Sequence, residues 1–141
     1  MKCVTKIKWL GKMAFDAELD DHHFTLDANP QVGGQNKGPR PKGLLLSGLA
    51  GCTGMDVVSI LKKMKIDNFE FEINVEADTT EEHPKVYKTI ILNYIFKGEN
   101  LPIAKVKRAV ELSETRYCGA SAMLGKAAKM VSKIIVNGEE K

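Results

Sequence analysis

The stretch Lys42-Gly43-Leu44-Leu45-Leu46-Ser47-Gly48-Leu49-Ala50-Gly51-Cys52-Thr53-Gly54-Met55-Asp56-Val57-Val58-Ser59-Ile60-Leu61-Lys62-Lys63-Met64-Lys65 decides the fold. From Gly43 to Leu61 its only charge is Asp56. That run is long enough to span a membrane. Asp56 argues against it, because a carboxylate near a bilayer centre costs about 2.5–3.5 kcal/mol. Gly43, Gly48, Gly51 and Gly54 also weaken an isolated helix. The segment reads instead as a helix that is apolar all round because protein surrounds it. Its glycines allow another backbone to approach closely, which suits packing against a second copy of the same helix.

Working outward, the preceding chain alternates. Residues 3–10 and 13–20 each place apolar and polar residues on opposite faces, and a short strand follows at His23–Asp27. This predicts an antiparallel meander with one wet face, expected to extend a sheet of later strands. Asn29–Pro41 (NPQVGGQNKGPRP) is too rich in Gly, Pro, Asn and Gln for a regular element. It contains neither GxxxxGK[ST] nor GxGxxG, so it is no phosphate cradle. Beyond the helix, residues 69–77 alternate strictly, with Phe69, Phe71, Ile73 and Val75 opposite Glu70, Glu72, Asn74 and Glu76. Residues 86–96 are apolar on both faces and read as a central strand. Pro102 starts a helix running to about Arg116. Residues 117–128 form a second short helix and 129–136 a last strand. The order β-β-β-α-β-β-α-α-β predicts an α+β chain.

The length of 141 residues predicts a single domain over residues 1–141. With 43% hydrophobic residues and a net charge of +3, the chain can bury an ordinary core and is not disordered. The basic residues are dispersed and mostly Lys, which argues against nucleic acid as a partner. Lysines interrupt the first apolar pairs, so no signal-peptide run is visible, and a cytoplasmic protein without membrane attachment is expected.

Three cysteines, Cys3, Cys52 and Cys118, do not make a secreted disulfide framework. Cys3 reads as a small apolar residue of the first strand. Cys52 sits between Gly51 and Gly54, which clear space around its sulfur. Cys118 opens a helix after Arg116-Tyr117, where free N–H groups lower a thiol's pKa and Arg116 adds positive charge. Residue types alone leave two readings open, buried core cysteines or a reactive pair, and favour the first. His22, His23 and His83 share no metal-ligand spacing with the cysteines, so no metal or other cofactor is expected.

Pro39-Arg40-Pro41, the following leucines and Ala50-Gly51-Cys52-Thr53-Gly54-Met55-Asp56-Val57-Val58 resemble the first cysteine helix of the OsmC/Ohr family. These are the osmotically inducible and organic hydroperoxide resistance proteins. Ser113-Glu114-Thr115-Arg116-Tyr117-Cys118-Gly119-Ala120-Ser121 is similar to its second cysteine motif. Asp56–Leu61 also resembles the YhfA-type OsmC-like subgroup. The resemblance implies an α+β fold with antiparallel sheets wrapped around central cysteine-bearing helices in an intertwined homodimer, with active sites at the subunit interface. It implies a cysteine-based peroxidase in peroxide or osmotic stress defence. Cys52 would be the peroxidatic thiolate and Cys118 the resolving thiol, with an organic hydroperoxide as substrate and an external dithiol as reductant. Two positions depart from the family's peroxidase pattern. Lys42 and Gly43 stand where those members carry a glutamate, and no arginine precedes Arg40 to orient the thiolate. Lys12, Arg40, Lys42 and Arg116 are the candidate replacements. The other reading implied is a non-catalytic dimer of this type that binds an apolar small molecule.

Overall fold

A computed structural model describes all residues, 1–141. The chain divides into two compact units, Met1–Leu46 and Ser47–Lys141. In the first, the alternation produces three antiparallel strands, β1 (Thr5–Gly11), β2 (Ala14–Leu19) and β3 (His22–Leu26). Two tight turns join them, with Lys12, Asp20 and Asp21 at positive φ. Cys3 lies just before β1 and is exposed.

The meander forms a sheet of its own, in the order β1-β2-β3. The expected extension of a later sheet therefore does not occur within one chain. Asp27 ends β3 and turns the chain away. Its carboxylate accepts the backbone N–H groups of Ala28 (2.7 Å), Gln35 (3.1 Å) and Lys37 (3.1 Å). The residues after β3 are thereby closed into a loop that contains one 3-10 turn, Pro30–Val32.

The helix α1 (Leu44–Lys63) starts in the first unit and runs into the second. Its buried residues, Leu49, Thr53, Val57 and Leu61, recur every fourth position and so form one stripe. Length and composition alone would let α1 cross a membrane. The buried stripe is held by protein, and the remaining faces carry exposed Leu45, Met55 and Val58. The helix is thus covered on one side only, not all round as expected.

The second unit is a four-stranded sheet in the order β4 (Glu70–Thr79), β5 (Tyr87–Lys97), β6 (Lys129–Val136), β7 (Glu139–Glu140). β5 is central, as its two apolar faces predict, and Ile90, Leu92, Tyr94 and Phe96 are fully buried. Phe71 of β4 stacks on Phe96 with ring centroids 4.4 Å apart. β4 pairs antiparallel with β5, whereas β6 pairs parallel to it. A parallel neighbour needs a crossover. Here α2 (Ile103–Leu112), a π-helical turn (Ser113–Tyr117) and α3 (Gly119–Ala127) provide it. The helix predicted to reach Arg116 therefore ends at Leu112 and widens into the π turn. β7 is an unforeseen short strand formed by a hairpin at Asn137-Gly138, both at positive φ.

Candidate functional site

Cys52 lies on α1, half-buried, one residue before Thr53 of the buried stripe. Cys118 is the N-cap of α3 and only 3% exposed. The crossover folds the second cysteine back to the first, close enough for Cys52 to act on the Cys118 thiol. Both belong to the second unit. Cys118 is fixed from two sides. Its N–H donates to the Ser113 carbonyl at 2.8 Å, and its sulfur accepts the Ser121 N–H at 3.3 Å. The Ser121 hydroxyl, buried in the same place, has no other partner.

The expected lowering of the Cys118 pKa is corrected here. Burial, first, and then the hydrogen bond and the charge of Cys52 push the thiol up. The Ser121 groups at the helix N-terminus act in the opposite direction and are outweighed. Cys118 therefore holds its proton at neutral pH. A thiol held protonated in this way is a poor nucleophile in its resting state.

A buried polar layer adjoins the pair. Thr53 Oγ1 lies 2.9 Å from Tyr94 OH and 2.8 Å from Ser113 Oγ. Tyr94 donates to Glu114 Oε1 at 2.7 Å and Ser113 to Asp56 Oδ2 at 3.0 Å. Ser132 of β6 also donates to Glu114. Burial, chiefly, raises the Tyr94 pKa well above its ordinary value, and the negative charges of Glu114 and Cys118 act in the same sense. The sequence reading missed this layer. Its one visible signal was Asp56, the sole charge in an apolar helix.

The candidate cations are separated by unit. Lys12, Arg40 and Lys42 belong to the first unit, and Arg116 alone belongs to the unit that carries the cysteines. Lys12 is at the β1–β2 turn, where its carbonyl accepts the Trp9 indole N–H at 2.8 Å. Arg40 Nη1 donates to Asn36 Oδ1 at 2.6 Å and to the Gly38 carbonyl at 3.1 Å. Lys42 lies in the turn leading into α1. The Arg116 guanidinium lies 5.6 Å from the centroid of the Tyr117 ring. The three histidines and the cysteines form no metal-binding group.

Each unit carries an apolar concavity. In the second, an open groove of about 700 Å³ runs along α1, floored by Gly51 and Gly54 and walled by Met55, Val58, Phe71 and Ile73. A Cβ on Gly54 would stand 3.2 Å from Ile73 Cδ1, so the missing side chain lets β4 approach the helix. In the first unit, Ile7, Met13, Phe15, Leu26 and Val32 enclose about 570 Å³, with Arg40 at its wall.

The OsmC-like protein family matches residues 34–133. Protein YhfA of Escherichia coli is 34% identical over 126 residues, covering 89% of this chain and 91% of YhfA. A hypothetical protein from Aquifex aeolicus superposes with a TM-score of 0.85 at 25% identity, covering 97% of each chain. The organic hydroperoxide resistance protein OhrB of Bacillus subtilis shares the fold at a TM-score of 0.63 and 18% identity, over 97% of this chain and 98% of its own. Two cysteines brought together by α1 and the α2–α3 crossover, on an α+β framework matched over nearly its whole length, accord with these likenesses: the chain belongs to the OsmC-like protein family.

Proposed function

We propose that the protein is a cysteine-based peroxidase that reduces organic hydroperoxides in peroxide or osmotic stress defence. The observation that carries this reading is the closeness of Cys52 to Cys118, whose thiol is pushed up by burial, first, and then by Cys52. The Cys52 thiolate attacks the distal oxygen of the hydroperoxide. The S–O bond forms, the O–O bond breaks, and the departing alkoxide takes a proton to become the alcohol. Cys118 then attacks the sulfenic sulfur. The S–S bond forms, and hydroxide leaves with the Cys118 proton as water. An external dithiol restores both thiols by exchange. The apolar groove along α1 suits an alkyl or aryl hydroperoxide better than hydrogen peroxide.

The working form in this reading is a homodimer, in which residues 1–141 of two copies complete one domain each. The cation that steadies the thiolate comes from Arg40, Lys42 or Lys12, or from Arg116. Localisation in the cytoplasm fits the need for free thiols.

The test is to treat reduced protein with one equivalent of cumene hydroperoxide and map the cysteines by mass. A Cys52–Cys118 disulfide is expected. Cys52→Ser should abolish peroxide consumption. Cys118→Ser should allow one turnover and leave a trappable sulfenic acid on Cys52, and Cys3→Ser should change nothing. Equal, slow consumption by wild type and Cys52→Ser would overturn the reading in favour of a dimer that binds an apolar small molecule in the same groove.

A further inference from the structure

Ser113 touches both cysteine-bearing segments at once. It opens the π turn that ends α2 and leads to Cys118, and it is fully buried. Its hydroxyl lies 2.8 Å from Thr53 Oγ1 and donates to Asp56 Oδ2 at 3.0 Å. Both partners stand on α1, and Thr53 directly follows Cys52 in the chain. The Ser113 carbonyl accepts the Cys118 N–H at 2.8 Å, the bond that spans the π turn. A hydroxyl has one donor and two acceptor sites, so Ser113 can donate to Asp56 while accepting from Thr53. The far side of the same turn is held separately. Glu114 accepts from Tyr94 of β5 at 2.7 Å and from Ser132 of β6. The turn is thus seated on the sheet by Glu114 and tied to α1 by Ser113. A π-helical turn within a helical stretch frequently marks a functional position. This one sets the two ends of a single residue against the two cysteine segments.

We propose that Ser113 is the positioning residue of the thiol pair: its hydroxyl fixes α1 at Thr53 and Asp56, its carbonyl fixes the backbone of Cys118, and together they set the approach of the two sulfurs. A disulfide closes only when its two Cα atoms come within about 7 Å and the side chains face each other. Backbone placement therefore governs how readily the pair closes. Cys52 and Cys118 lie far apart in the sequence and on different elements, so no local chain geometry holds them together. The route from Cys52 through Thr53 to the Ser113 hydroxyl, and from the Ser113 carbonyl to Cys118, is a direct connection that does. Removing the hydroxyl breaks this route at its middle. Cys118 keeps its N–H bond, and Glu114 keeps the turn on the sheet. Thr53 can then turn its hydroxyl to Tyr94, 2.9 Å away. The expected loss is therefore one of alignment and not of the fold. Its part in catalysis rests on the peroxidase reading, in which Ser113 serves the resolving step. Attack by Cys52 on the peroxide needs no second sulfur and should proceed without the tie.

Pairing can be measured without peroxide, in a glutathione redox buffer. There the Cys52–Cys118 disulfide and two glutathione thiols exchange into two cysteine thiols and one glutathione disulfide. Ser113→Ala should shift this equilibrium towards the dithiol by roughly tenfold, the worth of about one hydrogen bond. Asp56→Ala acts at the half-buried end of the tie and should shift it in the same direction. Asp56→Asn, whose amide oxygen still accepts from Ser113, should restore the wild-type value. Leu61→Ala lies on the same buried stripe and lowers stability without touching the tie, so its pairing should equal that of wild type. With one equivalent of cumene hydroperoxide, Ser113→Ala should form the Cys52 sulfenic acid at the wild-type rate. It should convert that acid to the disulfide about tenfold more slowly, leaving it open to trapping by dimedone. Wild-type pairing in both Ser113→Ala and Asp56→Ala would overturn the proposal. So would Leu61→Ala weakening pairing as much as Ser113→Ala, because that marks lost stability and not lost alignment. A folded wild type that forms no Cys52–Cys118 disulfide in this buffer would overturn it too. Cysteines that pair in wild type and pair weakly in Ser113→Ala, yet never consume peroxide, would instead refute the peroxidase reading and leave the positioning role standing.

Discussion

At the residue scale, three ionisable groups are displaced by their surroundings, two upward and one downward. Burial and the neighbouring Cys52 push the Cys118 thiol up. Its protonated form is therefore favoured in the folded state, and the stabilisation is present below the unfolded thiol pKa of about 8.5 and lost as pH rises through the folded value. Tyr94 is displaced in the same sense by its burial, so stability should fall steadily on the alkaline side. Thermal unfolding of the reduced protein against pH should show this decline, and Cys118→Ala should make it shallower. Alkylation with iodoacetamide, followed by peptide mass mapping, should mark Cys52 before Cys118 at neutral pH. Cys118 should react only as the pH rises. Asp27 behaves oppositely. The hydrogen bond from Ala28, first, and those from Lys37 and Gln35 hold its carboxyl below the ordinary carboxylate range. Its contribution is present above the unfolded pKa of about 3.9 and is lost as pH falls through the folded value. Asp27→Asn should speed amide exchange at Gln35 and Lys37, because an amide oxygen is a weaker acceptor than the carboxylate. Unchanged exchange at both amides would show that the loop is held by other contacts.

At the element scale, α1 carries two kinds of surface on one helix. Leu49, Thr53, Val57 and Leu61 are fully buried within the chain, whereas Met55 is 77% exposed. Leu61→Ala should lower stability by about 2–5 kcal/mol, independent of protein concentration, because it opens a cavity inside one subunit. Calorimetry at two concentrations checks this. The segment's helical nature and its closeness to other protein were legible in the sequence, because a single charge in nineteen residues with four glycines suits neither lipid nor an exposed surface. Which stripe would be buried was not legible, since an all-apolar helix has no moment to point the way. The strands were legible where one face is wet, as in β4, and the Asn137-Gly138 hairpin was overlooked although that dipeptide favours it. The π turn was not legible, because Ser113–Tyr117 fits ordinary helical spacing. It is this widening that ends α2 and precedes Cys118. The cysteine pair was legible only through the family's two motifs. Its polar backing was not, because Tyr94 and Ser113 read as ordinary strand and helix residues until the crossover places them at Thr53.

At the scale of the whole molecule, the balance of apolar surface argues for a second copy. The first unit buries few residues, chiefly Ala14, Ala17, Leu26 and Asp27, while Ile7, Trp9, Leu10 and Leu19 stay exposed on its sheet. Trp9 is 63% exposed although it lies within β1, next to the register shift before Gly11. A three-stranded meander with so little interior is not stable alone. The second unit leaves Met55 and Val58 open along the groove on α1. Two apolar surfaces of this extent on a chain of 15.6 kDa exceed the scattered exposure normal for a monomer. An obligate homodimer is expected, with an interface well above the ~1,600 Å² of standard complexes. Sedimentation at micromolar concentration should give a single species of twice the subunit mass. Met55→Asp places a charge on the exposed side of α1 and spares the buried stripe. It should therefore produce monomer or aggregate, whereas Leu61→Ala should remain dimeric though less stable. Removing residues 1–28 should abolish soluble expression. A wild-type monomer at micromolar concentration would overturn the dimer. A folded, soluble truncation would show instead that the second unit is self-sufficient and that the N-terminal sheet serves another purpose.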